Sequence, residues 1–440
     1  MSYANRIFLT GALRFDDHST FGRDTPRQTY PRLSASWVAS DEPFWGLESV
    51  DVLRLRAAWG KAGRAPRPLS NQALFVPSLG LDGQSGARPS QPGNPAVGPE
   101  VSTELEMGFD AALFDDRLWG GLTLYGRKDE RLLLALPAAV SGGFPGVVEQ
   151  NVGRIDSWGW EVSLGARLYE GPSTAVSVDL FADQVNNEIM ALDRGSGMPS
   201  VAIGLPYPNQ LTEDYVVSAQ FDAAGDLSNG FGERISALCD DGVSLAPDPA
   251  APGAAKYGRV RGGAALPCGT IPDRNLFVGP AFATHSFAIA PTVSLLGRSF
   301  QLFLLAEGQY GRWAEAEDKE WGHINNNSKL SRLEDDPAWM YGEQIGDETR
   351  RSLIDADFWR LREVGVRYSV PARWAARARA DRASVSLSAR NLWTIWQAQG
   401  DLNGLPVSDP EYGAPTLDGD RNFWETPAFA SVDLTLRVVF

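Results

Sequence analysis

The chain has 440 residues, of which 43% are hydrophobic and 10% aromatic, a content too high for a disordered protein. Its 55 acidic residues outnumber 40 basic ones, and this net charge of −15 argues against a nucleic-acid partner, because phosphate contacts need clustered lysine and arginine. Three histidines and two cysteines lack the spacing of a zinc site, and the longest apolar run is too short for a membrane-spanning helix.

Hydrophobic and polar residues alternate along most of the chain, a period of two that predicts an all-β protein. In the segment Val101–Leu113, for example, Leu105 and Met107 lie on one face. Glu104 and Glu106 lie on the other face. The periodicity predicts twelve strands, which in chain order are Arg6–Asp16, Pro31–Ala39, Val52–Gly60, Val101–Leu113, Leu118–Leu134, Ser157–Leu168, Thr174–Asp183, Phe282–Leu296, Ser299–Gly311, Phe358–Ser369, Ala383–Asn391 and Pro427–Phe440.

The predicted strands are long, and the connections between them alternate in length. Soluble domains usually have strands of roughly 5 to 6 residues, whereas a tilted strand needs roughly 9 to 11 to cross a bilayer. Short turns such as 115–117 and 170–173 alternate with long loops such as 61–100 and 184–281. This asymmetry is typical of outer-membrane barrels, which have short periplasmic turns and long extracellular loops. The alternating segment 215–222 is therefore interpreted as part of a loop.

The last predicted strand ends in an aromatic residue. Apolar side chains occupy every second position up to Phe440. A terminal phenylalanine after an alternating strand resembles the C-terminal signal that the outer-membrane assembly machinery reads, so Phe440 is a candidate assembly signal. The alternative is a soluble edge strand that happens to end in phenylalanine.

Several sequence blocks, in order along the chain, resemble motifs of the TonB-dependent outer-membrane receptors, in particular the SusC/RagA-like branch that imports glycans or peptides. The blocks are Leu13–Gly22 with Tyr30–Trp37, Leu53–Gly60, Asn94–Pro95 with Gly98–Gly108, Asn151–Ile155 with Gly159–Glu161, Asp357–Val364 and Ser388–Trp393. The resemblance implies a transmembrane antiparallel β-barrel in the bacterial outer membrane. It also implies import of a nutrient oligomer, with outer-membrane lipid, the TonB complex and a SusD-like surface lipoprotein as partners.

Members of this family have a signal peptide, a plug domain that contacts TonB, and a barrel of 22 strands. The twelve predicted strands, taken as one partial barrel domain over residues 1–440, correspond to the C-terminal part of that barrel, and no segment resembles the plug. The first residues enter a strand pattern without an export signal. We therefore expect a fragment of a longer reading frame in which the missing plug contacts TonB, with a degenerate stand-alone barrel as the alternative.

Two kinds of residue in the predicted loops are candidates for a role. Cys239 and Cys268 lie in the longest loop and predict a disulfide, because exported proteins usually oxidise such pairs; two free thiols are the alternative. Several tryptophans are candidate ligand contacts, since an exposed indole offers a large platform to a sugar ring or a partner. They are Trp313, Trp321, Trp339, Trp393, Trp396 and Trp424. Loop packing, or an aromatic girdle at the membrane edge, is the alternative.

The sequence predicts neither an enzyme nor a cofactor. It has no nucleophile-elbow, zinc-protease or phosphate-loop motif, and each histidine stands alone. Acidic residues between Glu315 and Glu320, with Asp335 and Asp336, suit Ca²⁺, although solvated loop surface is the more common interpretation. Besides an importer, two functions stay open: a passive or structural outer-membrane barrel, and a secreted carbohydrate-binding β-protein.

Overall fold

The structure of the protein, a computed structural model, consists almost entirely of β-strands. It describes residues 1–80, 83–192, 200–212, 215–222, 233–245, 258–271, 275–315, 353–398, 411 and 428–440. The strands in chain order are β1 (Ser2–Tyr3), β2 (Ile7–Asp16), β3 (Gln28–Val38), β4 (Val50–Arg64), β5 (Leu74–Leu79), β6 (Ser85–Gln91), β7 (Glu100–Leu113), β8 (Leu118–Glu130), β9 (Leu133–Pro137), β10 (Val147–Asn151), β11 (Arg154–Glu170), β12 (Ala175–Ala191), β13 (Asn209–Thr212), β14 (Val216–Asp222), β15 (Glu233–Asp240), β16 (Val243–Ser244), β17 (Arg259–Val260), β18 (Ala265–Pro267), β19 (Leu276–Pro280), β20 (His285–Leu295), β21 (Phe300–Tyr310), β22 (Trp313–Glu315), β23 (Leu353–Asp355), β24 (Phe358–Val370), β25 (Arg382–Gln397) and β26 (Ser431–Val439).

Helical structure in the described part is limited to single turns. One α-helical turn, α1, spans Ala372–Ala375. The 3-10 turns are Ala39–Asp41, Val140–Gly142, Cys268–Thr270 and Ala376–Ala378. Among the described residues, no helix has the length and apolar character needed to span a membrane.

One antiparallel sheet of thirteen strands forms the body of the molecule, which we call the wall. Its order is β1-β2-β3-β4-β7-β8-β11-β12-β20-β21-β24-β25-β26, so neighbours in the wall are neighbours in the sequence apart from excursions into the loops. Twelve of these strands have 9 to 17 residues, and each coincides with one predicted strand. The prediction of an all-β protein with twelve long strands is confirmed, and β1 is a two-residue addition.

The ends of several strands differ from their predicted positions. The segment predicted as one strand from Leu118 to Leu134 is divided, because the chain turns at Arg131, which has a φ of 58°. Leu133 and Leu134 then join the separate β9–β10 hairpin. Strand β14, over the segment interpreted as loop, pairs with β15 outside the wall. Periodicity detects a strand but cannot tell whether the chain turns within an apolar run.

The connections place long loops at one end of the wall, the loop side, and short turns at the other, the turn side. On the turn side, Gly297 has a φ of 64° between Leu296 and Arg298, whose φ angles of 53° and 69° are also left-handed. Glycine adopts this region without strain, which allows β20 to reverse into β21 within a few residues. On the loop side, the connections form four small sheets of their own and a hairpin of β5 and β6.

The wall is one layer thick, and its two faces differ. On β7 the outer-face side chains Leu105, Met107 and Phe109 are 42%, 52% and 39% exposed. The alternate residues Glu104 and Glu106 are partly covered on the inner face. An apolar face that covers no core is suited to contact with hydrocarbon, since alternate residues of a strand point to opposite sides.

Buried apolar clusters lie on the loop side, where loop residues pack with residues at the ends of wall strands such as β11 and β12. The largest contains Leu132, Leu134, Leu136, Val152, Ile155, Ile189, Leu192 and Val201. A second contains Val216, Cys239, Cys268 and Ile271. These clusters stabilise the loops as packed structures, because burial of apolar side chains offsets the entropy lost on ordering a loop.

The outer face generates a first prediction, which concerns Met107. Arginine at this position should lower the free energy of unfolding in lipid vesicles by about 2 to 4 kcal/mol, because the charge would enter hydrocarbon near the midplane. Met107→Leu keeps an apolar side chain and serves as the matched control. A spin label at position 107 that reports contact with water rather than lipid would contradict the assignment.

Candidate functional site

The inner face of the wall carries a band of charged side chains that bond across strands. Near the turn side, Arg54 of β4 donates to Asp110 of β7 through Nη2 at 2.7 Å and Nε at 2.9 Å. Arg56 lies 3.5 Å from the same carboxylate and donates to the Thr123 hydroxyl of β8 at 2.6 Å. A Cβ at Gly108 would come within 2.3 Å of a neighbouring carbonyl and 3.2 Å of the Arg56 guanidinium. Glycine there allows the Arg56 side chain to cross β7.

A second group lies nearer the loop side on β7 and β8. Arg127 donates to Asp129 at 2.9 Å and to the Ser102 hydroxyl at 3.0 Å. Glu104 is the register partner of Arg127, and Glu106 follows on the same face. This part of the inner face therefore presents carboxylates and one guanidinium group side by side.

A third group involves β21, β24 and a residue of the connection before β26. Arg362 donates to Glu307 at 2.9 Å and to Glu411 at 2.7 Å. The guanidinium of Arg360, only 4% exposed, also pairs with Glu411. Two arginines of the wall thus bind the Glu411 carboxylate at the inner face.

From the turn side to the loop side, the inner face carries positively charged guanidinium donors and negatively charged carboxylate acceptors. Such a surface suits a hydrated polar ligand or a polar protein domain in the lumen. Within the described ranges, no group of three or more His, Cys, Asp or Glu side chains is placed to hold a metal ion. Of the acidic Ca²⁺ candidates only Glu315 is described, so the Ca²⁺ site stays a prediction.

Two asparagines join the loop segments above the wall. The Asn151 Oδ1 accepts from the Gly98 N–H at 2.7 Å, and its Nδ2 donates to the carbonyls of Gly98 and Arg131, each at 2.9 Å. Asn94 donates to the backbone carbonyl of Glu149 at 2.9 Å. Side-chain amides of this kind satisfy backbone groups that no strand pairs. They hold the connection before β7 against the β9–β10 hairpin.

Two carboxylates add to these contacts. The Glu149 carboxylate accepts a hydrogen bond from the backbone N–H of Arg67 at 2.9 Å. Glu100, 8% exposed, accepts from the Leu133 N–H at 3.1 Å and from the Arg64 guanidinium at 2.9 Å. Because Glu100 begins β7, it ties the top of the wall to the first residue of β9.

Three of these anchoring residues belong to the sequence blocks on which the family resemblance depends: Asn94, Glu100 and Asn151. The sequence patterns predicted no role for them. The available signal was their position beside Pro or Gly where a loop meets a strand: Asn94 precedes Pro95, and Glu100 follows Pro99. Such residues are typical of backbone anchoring. These motif residues therefore act in loop architecture.

Cys239 and Cys268 form a disulfide with a Cα–Cα distance of 4.8 Å. Both side chains are buried in the cluster with Val216 and Ile271. The bond joins β15 to the 3-10 turn that follows β18. It holds together the described strands β14, β15 and β18 of this loop.

The described tryptophan candidates fall on two different surfaces. Trp313 packs over β19, where it leaves no space for a side chain at Gly279. Trp393 and Trp396 of β25 are 64% and 46% exposed. Trp393 pairs in register with Leu361, next to inner-face Arg360, so it lies on the outer face. Trp321, Trp339 and Trp424 lie outside the described residues.

Trp396 belongs to an aromatic cluster on the outer face near the loop side. Its ring stacks on Tyr310 with centroids 5.9 Å apart, and Tyr310 meets Phe287 edge to face at 5.8 Å. The Trp359 indole N–H donates to the Tyr310 hydroxyl at 2.5 Å. Aromatic side chains at the end of an apolar face are typical of the girdle at a membrane interface.

Asp357 lies in the connection between β23 and β24. Its carboxylate accepts a hydrogen bond from the Gly311 N–H at 2.6 Å. Burial, together with the neighbouring Asp355 carboxylate, raises the pKa of Asp357 to about 6. The base of this loop thus contains a carboxyl group that changes charge in mildly acidic medium.

Comparison with known proteins gives a family and several relatives. The model of a family described as TonB dependent receptor-like, beta-barrel, matches residues 1–235. The TonB-dependent receptor SusC of Bacteroides thetaiotaomicron is 28% identical over 179 residues, which are 38% of this chain and 17% of SusC. TonB-dependent receptor P39 of Formosa agariphila is 29% identical over 248 residues, which are 56% of this chain and 23% of P39.

The solved structures show the same architecture. The RagAB peptide importer in its "open-open" state aligns with a TM-score of 0.69 at 17% identity, over 100% of this chain and 46% of the RagAB chain. Its "closed-closed" state aligns with the same TM-score at 18% identity, over 98% and 45%. The chain therefore spans less than half the length of the proteins it matches.

The loop anchors generate a second prediction. Asn151→Ala removes three hydrogen bonds and should destabilise the loop side locally by about 1 to 3 kcal/mol. Limited proteolysis should then cut the connection between β4 and β7 faster, while the strand signal in circular dichroism is retained. Gln150→Ala, in the same strand, is the matched control because Gln150 makes none of these bonds. Equal cleavage of the two variants would show that Asn151 is not an anchor.

Proposed function

Because the chain belongs to the TonB-dependent receptor-like β-barrel family, whose members are outer-membrane receptors, we propose that residues 1–440 form part of the barrel of an importer for a nutrient oligomer. The observation that carries the proposal is the two-faced wall, apolar outside and charged inside. A transported ligand crosses through such a polar lumen, while the apolar face contacts lipid. Strands β1 and β26, the edges of the sheet, pair on one side only within the described chain. This supports completion of the wall by further strands.

The proposed ligand is a glycan or a peptide-like oligomer. SusC/RagA-like relatives support this class, and one solved relative is a peptide importer. The mixed charges of the inner face, including Glu104, Glu106 and Arg127, suit a polar chain that is moved intact. Trp313, Trp321 and Trp339 remain candidate ligand contacts, whereas the outer-face position of Trp393 and Trp396 favours the girdle. The proposed role includes no enzymatic step.

Two protein partners belong to the proposal. A plug domain in the lumen would contact TonB and couple uptake to cellular energy, as the family resemblance implies. A SusD-like surface lipoprotein would contact the loop side, where small sheets and the Cys239–Cys268 disulfide give the described loop segments a defined shape. Ordered loops support this role because a preformed surface loses less entropy on binding.

The test of the importer is growth of the source bacterium after deletion of the gene. Growth on one class of oligomer, offered as a panel of glycans and peptides, should be lost, while growth on the corresponding monomers is unchanged. The native gene should restore growth, and a protonophore should abolish uptake. Undiminished growth on every oligomer, or uptake that persists with the protonophore, would contradict the proposal.

A variant of the inner face tests whether the ligand passes along this part of the wall. Glu104→Arg with Glu106→Arg reverses the charge at these two positions of the inner face and should lower uptake several-fold at an unchanged amount of protein in the outer membrane. Leu105→Val, between them on the outer face, is the matched control and should leave uptake unchanged. Equal uptake by both variants would show that the ligand does not pass this part of the wall.

A separate prediction concerns Phe440 as the proposed assembly signal. Its side chain is 82% exposed after the end of β26. Deletion of Phe440 should reduce the amount of protein inserted in the outer membrane, because an alternating strand would lose its terminal aromatic group. Phe440→Tyr should insert normally. Unchanged insertion after the deletion, measured by heat-modifiable migration of membrane fractions, would remove Phe440 from this role.

A further inference from the structure

The turn between β24 and β25 differs in charge from the others on the turn side. We call residues 371–382 the basic turn. It carries Arg373, Arg377, Arg379 and Arg382 against a single acidic residue, Asp381, in a chain whose net charge is −15. Positive charge is concentrated here against the overall trend.

Other turns on this side contain arginines that are balanced by acids. Arg298 pairs with Glu170 of the neighbouring turn. Arg6 pairs with Glu42 at 2.8 Å. Arg117 directly follows two aspartates in its own turn. Within the described chain, by contrast, no carboxylate lies within ion-pair distance of the four guanidinium groups of the basic turn.

The basic turn has a defined backbone that directs its arginines outward. Ala375 and Ala380 are 2% and 5% exposed, and the Ala380 N–H donates to the Ala375 carbonyl at 3.1 Å. Arg379 closes the helical turn with a φ of 57°. The Asp381 N–H donates to the Val439 carbonyl at 2.7 Å, which ties the turn to the last strand. The arginine side chains, by contrast, are exposed.

An aromatic side chain accompanies these charges. Trp374 is 51% exposed, and the Arg373 guanidinium lies 5.8 Å from the centre of its ring. Tryptophan is enriched at membrane interfaces because its ring is apolar and its N–H is polar. Guanidinium groups bind phosphate through planar, bidentate hydrogen bonds. Both features occur together in one turn at the turn-side end of the wall.

We propose that the basic turn binds the phosphate groups of anionic phospholipids in the periplasmic leaflet, with Trp374 at the level of the headgroups. The inference depends on the membrane placement in the proposed function, which puts the turn side in the periplasm. Charge complementarity favours an anionic lipid. The basic turn contains four arginines and one acidic residue, whereas the neighbouring turns are acidic or balanced in charge. The site anchors the wall between β24 and the last strand.

The test measures the phospholipid that the full chain retains. Protein in a nonionic detergent is incubated with equal amounts of phosphatidylglycerol and phosphatidylcholine and washed, and the retained lipid is quantified by mass spectrometry. The native chain should prefer phosphatidylglycerol. The triple variant Arg373→Gln, Arg377→Gln, Arg379→Gln should lower the affinity for phosphatidylglycerol relative to phosphatidylcholine by about a hundredfold, since each arginine near an anionic surface contributes roughly fivefold. Trp374→Gln should weaken retention of both lipids.

A matched triple variant controls for loss of net charge. Arg23→Gln, Arg67→Gln and Arg88→Gln remove three exposed arginines from loop-side connections and should keep the native preference. Circular dichroism and heat-modifiable migration show whether each variant is folded. An equal loss in both triple variants would overturn the proposal, as would displacement of the lipid by millimolar inorganic phosphate, which would indicate a site for the free anion.

The amount of retained phospholipid tests the anionic lipid site independently of the importer proposal. Retention of both phospholipids without preference by the native chain overturns the anionic site alone. Retention of neither lipid also overturns the anionic site, and it leaves the membrane placement unaffected because detergent covers the apolar outer face. Lipid binding is measured without transport, so loss or persistence of uptake does not affect its outcome.

Discussion

Backbone hydrogen bonding within a single layer is the constraint on which the structure depends. In hydrocarbon, no water is available to an unpaired N–H or carbonyl group, so each strand must pair with its neighbours along its whole membrane-spanning length. The inner strands of the wall meet this requirement by antiparallel pairing on both sides, whereas the edge strands pair on one side only within the described chain. The same pairing sends alternate side chains to opposite faces, so one strand can contact lipid with Met107 and line a polar lumen with Glu106.

A single layer has no interior, and the apolar core is therefore located in the loops. The cluster that contains Ile189 and Val201 is buried on the loop side, where water would otherwise reach the loop backbone. Asn151 and Glu100 complete that arrangement by bonding to backbone groups of neighbouring segments. The loop side is thus built like a small soluble domain on a membrane wall. A surface of this kind can recognise a ligand or partner through a fixed shape.

The inner face and the basic turn differ in how their arginines are paired. On the inner face, arginines are matched by carboxylates, as in the pair Arg362 and Glu307. Exposed pairs of this kind add little stability, about 0 to 1 kcal/mol, but they orient side chains across strands. On the turn side, the arginines of the basic turn have no such match. The positive charge of these exposed arginines is therefore available to groups outside the protein.

Alternation in the sequence by itself determined the all-β class, the twelve long strands, the separation of long loops from short turns and the family, because these depend on local periodicity and short motifs. The tertiary structure decided where the wall strand ends within an apolar run. Leu133 lies outside the wall because the chain turns at Arg131. The tertiary structure also decided what the motif residues do, since the partners of Asn151 lie 20 and 53 positions away. For Trp396, only strand register shows that it faces outward against Tyr310, because a loop-adjacent tryptophan has the same local sequence pattern in either position. Long-range pairing brings such groups together, and no local pattern specifies it.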